Sequence, residues 1–323
     1  MKQQAFELTH EEEWVAFEAV LGQLGHGHRW APTVCTEDFP ASYRRICHHL
    51  SLARERRYTA ALVRRLNGMS LRGHHALYGA RSGLQRKWGH FLLAGFPRLV
   101  RANWRTVLLA SALFYLPFFG LPFAVQKYPE VVYLIQDPQA LAHMEDMYRS
   151  GNEKFGRKDA SATDVYMFGF YIWNNVRITL QVFASGLLLG LGSIFFLLVN
   201  GIQGGAVAGH LTRMGLGGNF WSFVITHSAL EMAALVLSGS AGLKLGFALL
   251  SPGRKTRLQS LKDAARNGVA LVYGAALMDV LAAFLEAFWS SSALVPAAVK
   301  FSVGGSLWAL LIAYFLLAGR RYV

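Results

Sequence analysis

His227 and Glu231 stand four residues apart in a stretch otherwise suited to lipid, and between 214 and 243 Glu231 is the only charged residue. A carboxylate in hydrocarbon is costly enough that it faces a protein interior, a partner or water. Four residues make about one helical turn, so imidazole and carboxylate share a face, where they can share a proton or hold one another in place. Asp279 and Glu286, seven residues or two turns apart, interrupt another uncharged run, while Asn174, Asn175, Arg177 and Asn200 add polar groups to apolar surroundings. These eight residues are the candidate buried polar site. A polar transport path, acid–base catalysis and structural pairing are all open to such a set.

Other chemistry has less support in the sequence. His210 with His227 and Glu231 offers a metal site in principle, but a single pair four apart arises easily by chance. Cys35, Cys47, His48, His49, His74 and His75 lack the paired short spacing of a zinc site, and read as solvated histidines and reduced thiols. No metal, cofactor or disulfide is expected. There is no Ser, His and Asp arrangement, no phosphate-binding Gly-Lys-Ser/Thr loop and no metallopeptidase motif, so an enzyme is not expected.

The elements that must position these groups are membrane helices. Hydrophobic residues make up 53% of the chain and charged ones 16%, leaving few charges to solubilise a surface. A helical span needs roughly 20 apolar residues, and five runs qualify: 106–125, 178–209, 214–243, 267–299 and 301–319. Residues 1–105 carry sixteen Lys or Arg against eight Asp or Glu, whereas 126–164 carry five against seven. Basic segments stay in the cytoplasm, so the termini and 251–267 are expected inside and the loop 126–164 outside. That assignment demands an odd number of crossings between 164 and 251, where only two runs are clear. Either 165–184 is a polar further helix, or 214–250 breaks near Ser238-Gly239-Ser240 into a re-entrant piece and a span. The fold class is therefore all-α, a polytopic helical membrane protein with about six membrane-embedded segments, one of them interfacial or re-entrant.

Within the membrane, Gly186 and Gly190, then Gly201, Gly205 and Gly209, then Gly242 and Gly246 recur every four residues, a spacing that lets backbones approach closely. They serve packing within the chain or the contacts of a homo-oligomer. Outside it, residues 1–80 form an expected cytosolic three-helix bundle, with no signal peptide. Thr9 and Glu12 suggest a capping box for Trp14, Phe17, Leu21 and Leu24; Phe39, Tyr43, Ile46, Leu50 and Ala53 mark a second helix; Leu62, Leu66, Met69 and Gly73 a third, capped by Thr59. Residues 79–83 read as a hinge and 81–105 as a basic interfacial linker, leaving 106–323 as the transmembrane domain. The arginine pairs of the bundle follow from positive-inside bias, and no nucleic-acid partner is expected.

Phe168-Gly-Phe-Tyr-Ile-Trp-Asn-Asn175, Phe183-Ala-Ser-Gly186, Asn200-Gly201, and His227-Ser-Ala-Leu-Glu231 leading to Ser240-Ala-Gly-Leu-Lys-Leu-Gly246 resemble the stage II sporulation protein M family. The resemblance covers roughly 100–319. Members often carry Pro-His-Gly where Thr226 and Ser228 flank His227 here. It implies a bacterial cytoplasmic (inner) membrane protein, in the extended form found outside spore formers and often encoded near MoxR-type ATPases and von Willebrand factor A-like proteins. The function it implies first is a scaffold or assembly partner in an envelope-associated complex. A transporter or channel built on the buried polar residues is the alternative.

Overall fold

The computed structural model describes residues 2–25, 39–78, 88–157 and 162–320, which divide into two compact units, Met1–His90 and Phe91–Val323. Residues 79–83, Cys35 and Arg86 lie outside the described residues, as does the side chain of Leu24.

The first unit holds α1 (Gln3–Gly25), α2 (Phe39–Glu55) and α3 (Ala60–Tyr78). Their apolar stripes meet: Trp14, Phe17 and Leu21 pack with Ile46, Leu50 and Ala53 and with Leu62, Leu66 and Met69. The capping box at Thr9 does not form. Helix α1 starts six residues earlier, because Phe6 is already buried in the same core and Gln3 donates to the Thr59 hydroxyl at 2.9 Å. Thr9 instead donates to the Ala5 carbonyl from inside the helix, at 2.7 Å. Arginines of the bundle are occupied by acids of α1: Arg65 donates to Glu11 at 2.8 Å and to Glu18 at 3.2 Å, and Arg45 pairs with Glu13. Such exposed pairs contribute about 0.2–1 kcal/mol each.

The second unit begins with a π-helical turn at Phe91–Gly95 and continues through α4 (Phe96–Ala102), α5 (Trp104–Lys127), α6 (Pro138–Tyr148), α7 (Asp164–Ala184), α8 (Leu191–Arg213), α9 (Gly217–Leu250), α10 (Arg257–Leu285) and α11 (Ala297–Leu317). Among the described residues five helices are long and apolar enough to cross a membrane: α5, α8, α9, α10 with its extension to Ser290, and α11. Helix α9 is the centre, packing against α5, α7, α8, α10 and α11. Its 34 residues span about 51 Å at 1.5 Å per residue.

Helix α7 is not one of those five, yet it packs among them. Helix α9 runs unbroken through Ser238, Gly239 and Ser240, all buried, so the re-entrant break does not occur. The 21 residues of α7 reach about 31 Å, enough for the hydrocarbon core. It packs against α9 and α10, and its asparagines dilute the hydropathy that would otherwise mark it as a span. The run 267–299 is also shorter than expected, since α10 ends in a π-helical turn at Glu286–Ser290.

The seven spaced glycines are used within the chain. A β-carbon on Gly186 would lie 2.2 Å from the Gly242 carbonyl oxygen, and one on Gly246 2.2 Å from the Gly190 nitrogen. The chain reverses between α7 and α8 with Leu189 and Gly190 at φ 53° and 83°, a conformation glycine adopts without strain. Gly201, Gly205 and Gly209 face α5, where added β-carbons would approach Phe114 O, Pro117 O and Pro122 Cα at 2.4, 2.7 and 2.9 Å.

From Phe91 onward the expected interfacial linker belongs to the membrane unit. Phe96 is buried under Gly274, and Arg98 and Arg101 donate to carbonyls at and just beyond the end of α11: Gly319 O at 2.9 Å, Phe315 O at 2.6 Å and Ala318 O at 2.7 Å. Those carbonyls have no partner inside their own helix, so the guanidinium groups satisfy them. At the other end, between α5 and α7, Asp137 caps α6 by accepting from Gln139 N at 2.8 Å. The segment is fastened to the turn after α10 by a bridge between Lys154 and Ser292.

Candidate functional site

Seven of the eight candidate polar residues line one cavity of about 450 Å³: Asn174 and Asn175 from α7, Asn200 from α8, His227 and Glu231 from α9, and Asp279 and Glu286 from α10 and its π-turn. Arg177 is not there. It lies two residues beyond Asn175, so about 200° around α7, where it is exposed and stacks over Trp173 at 4.6 Å. Gln136 and Met144 from the segment between α5 and α7 line the same cavity as Asp279. The space therefore extends toward that segment.

The π-turn sets the geometry of the site. Widening the last turn of α10 brings Ser290 against α9, where its hydroxyl meets both Thr226 Oγ1 and His227 Nδ1, the latter at 3.2 Å. The Thr226 hydroxyl is also within hydrogen-bond distance of Phe223 O, at 2.8 Å. With Nδ1 engaged by Ser290, Nε2 is the ring nitrogen turned toward the cavity. Nε2 faces Glu231 Oε2 across 3.7 Å, beyond hydrogen-bond range. His227 is 4% exposed, whereas the Glu231 side chain is 37% accessible, because it opens on the cavity.

The two further carboxylates are less satisfied. Asp279 and Glu286 are buried, and Asp279 Oδ2 and Glu286 Oε2 have no hydrogen-bond partner, nor does Asn175 Nδ2. Among the described residues no Lys or Arg lines the cavity. The site is thus acidic, with one imidazole, three carboxylates and three asparagines around a space large enough for water.

Several residues that shape it escaped the sequence reading. Lys300, a single cation between the apolar runs 267–299 and 301–319, is 1% exposed, donates to Ser290 O at 2.7 Å and stands 5.4 Å from the Phe155 ring. Arg157, one base in an acidic loop, is also buried and donates to Ala287 O at 2.9 Å and Ser291 Oγ at 3.3 Å, besides pairing with Asp164. Neither had a spacing signal. His210 joins neither His227 nor Glu231 but pairs with Glu145 at 2.7 Å.

In the first unit, ligand atoms of His10, Glu13 and His49 come within 4.8 Å of one another. Their groups are already engaged: Trp14 donates to His49 Nδ1 at 3.1 Å, and Arg45 holds Glu13. Burial, reinforced by neighbouring His10, pushes the His49 pKa below its ordinary 6.5.

Comparison with known proteins agrees with this architecture. The family model described as stage II sporulation protein M matches residues 103–291, and one described as a domain of unknown function, DUF8413, matches residues 4–79. No curated protein and no solved structure matches. The first match takes in every residue of the polar site and more than half of the chain. This multi-pass helical membrane protein belongs to the stage II sporulation protein M family.

Proposed function

We propose that the membrane unit moves a cation across the bacterial cytoplasmic membrane, with both termini on the cytoplasmic side and the loop 126–164 outside. One observation carries this reading. Glu231, Asp279 and Glu286 converge on a single cavity, and two of them keep an unpartnered oxygen there. A scaffold needs only that each buried charge be paired; a transport path needs charges that meet in a wet space within the membrane. Full-length protein in liposomes tests the proposal. Cation or proton flux above that of empty vesicles, lost in Glu231→Gln and Asp279→Asn variants that keep the parental melting temperature, supports it. Flux equal to that of empty vesicles overturns it.

The scaffold reading is favoured by a different observation, the exposed apolar residues Leu8 and Val15 two turns apart on α1. They suit docking of a protein partner, for which MoxR-type ATPases and von Willebrand factor A-like proteins are the proposals the family context offers. Cross-linking from Leu8 in native membranes identifies such a partner, and its loss in Leu8→Glu with Val15→Glu would establish the surface.

A further inference from the structure

We propose that His227, Glu231 and Glu286 form a binding site for one divalent transition-metal ion, which on the transport reading above is the cargo. One ligand atom from each of the three lies within 4.8 Å of the others. The orientation of the imidazole is the strongest argument. Ser290 Oγ engages Nδ1 at 3.2 Å, which turns Nε2 toward the Glu231 carboxylate at 3.7 Å and leaves Nε2 as the ring atom available to a metal. Ligands about 2.1 Å from a tetrahedral metal are themselves separated by about 3.4 Å, close to the observed gap. A hydrogen bond to the non-ligating nitrogen is also how metal-bound histidines are oriented. Here Ser290 supplies it, and Lys300 in turn holds the Ser290 carbonyl at 2.7 Å.

A second observation is independent of the imidazole. Glu286 is 8% exposed, yet its Oε2 has no partner. An ionised carboxylate buried without a partner is strongly disfavoured, and a bound cation removes that penalty. The adjoining space of about 450 Å³ holds on the order of ten water molecules, enough for a partly hydrated ion to enter. One imidazole and two carboxylates make a mixed nitrogen and oxygen set. It suits Zn²⁺, Mn²⁺, Fe²⁺ or Co²⁺ and has no thiolate to select Cu⁺.

The test uses full-length protein in detergent, stripped of metal with chelator and titrated with Zn²⁺ and Mn²⁺ by calorimetry. The expected result is one ion per chain in this site, with affinity falling at least tenfold in Glu231→Gln, Glu286→Gln and His227→Asn, and Mg²⁺ failing to compete. Should the variants not fold, pulsed EPR of Mn²⁺ on the unaltered protein reads the site directly through imidazole nitrogen coupling that a His49→Gln, His10→Gln double variant retains. Absence of stoichiometric binding overturns the proposal, as does binding that survives the Glu231 and Glu286 changes but is lost in the double variant. The same protein in liposomes separates the two readings. Metal binding without flux keeps this site and removes transport, whereas flux of protons or alkali cations without metal binding keeps transport and removes the site.

Discussion

Gly186 and Gly242 touch backbone to backbone: a β-carbon on the first would lie 2.2 Å from the carbonyl oxygen of the second. The contact presses the turn after α7 onto the central helix, and nothing flexible stands there to yield. Gly186→Val therefore costs more than the about 1–3 kcal/mol of ordinary overpacking, and a sharply lowered melting temperature in detergent is the expected result. Gly169→Ala on α7, where no atom lies within 4 Å of the added carbon, leaves melting unchanged or slightly raised.

The same contact shows what was readable beforehand. Glycine spacing is visible in any sequence, because close backbone approach admits no other residue. Lys300 was not readable, since a lone lysine beside a span is usually a boundary and only the Ser290 carbonyl makes it interior. Helix α7 was ambiguous for a related reason: Asn174 and Asn175 lower its hydropathy yet turn inward to the cavity. Arg177 was misplaced because proximity in sequence to two asparagines says nothing about helical phase. The meeting of Asp279 with Glu231 depends on the packing of α10 on α9, a contact between helices that no local pattern encodes.

Topology is checked by cysteine labelling in a background carrying Cys35→Ser and Cys47→Ser. Glu145 is a poor probe, being held by His210, whereas Ser150 is exposed. Ser150→Cys is expected to react with an impermeant maleimide added to intact cells, and Arg257→Cys only after permeabilisation. The reverse pattern inverts the orientation.

Removal of residues 1–80 is expected to leave the remainder folded, since Trp14, Ile46 and Leu66 pack with residues of their own unit. A monodisperse truncated protein with a melting temperature within a few degrees of the parent, on the order of the about 1 kcal/mol scale of surface changes, is the expected outcome. Aggregation on truncation would make the bundle part of the membrane fold.

The depressed His49 pKa gives the bundle a defined response to acid. Its folded form stays neutral while the unfolded chain takes up a proton below about 6.5, so stability is full above that pH and declines as pH falls through it toward the lower folded value. Hydrogen exchange of α1 and α2 in the full-length protein, corrected for its intrinsic pH dependence, is expected to quicken as the pH falls below 6.5. His49→Gln, whose carbonyl can still accept from Trp14, flattens that slope. An unaltered slope would assign the response to another group.

The π-turn at Glu286–Ser290 is gripped from two directions, by Arg157 through Ala287 O and by His227 through Ser290 Oγ. Ala287 and Ser290 are three residues apart, so a single turn of backbone joins the contact made by the loop before α7 to the contact made by the cavity imidazole. A substitution at Arg157 is therefore expected to be felt at the His227 ring.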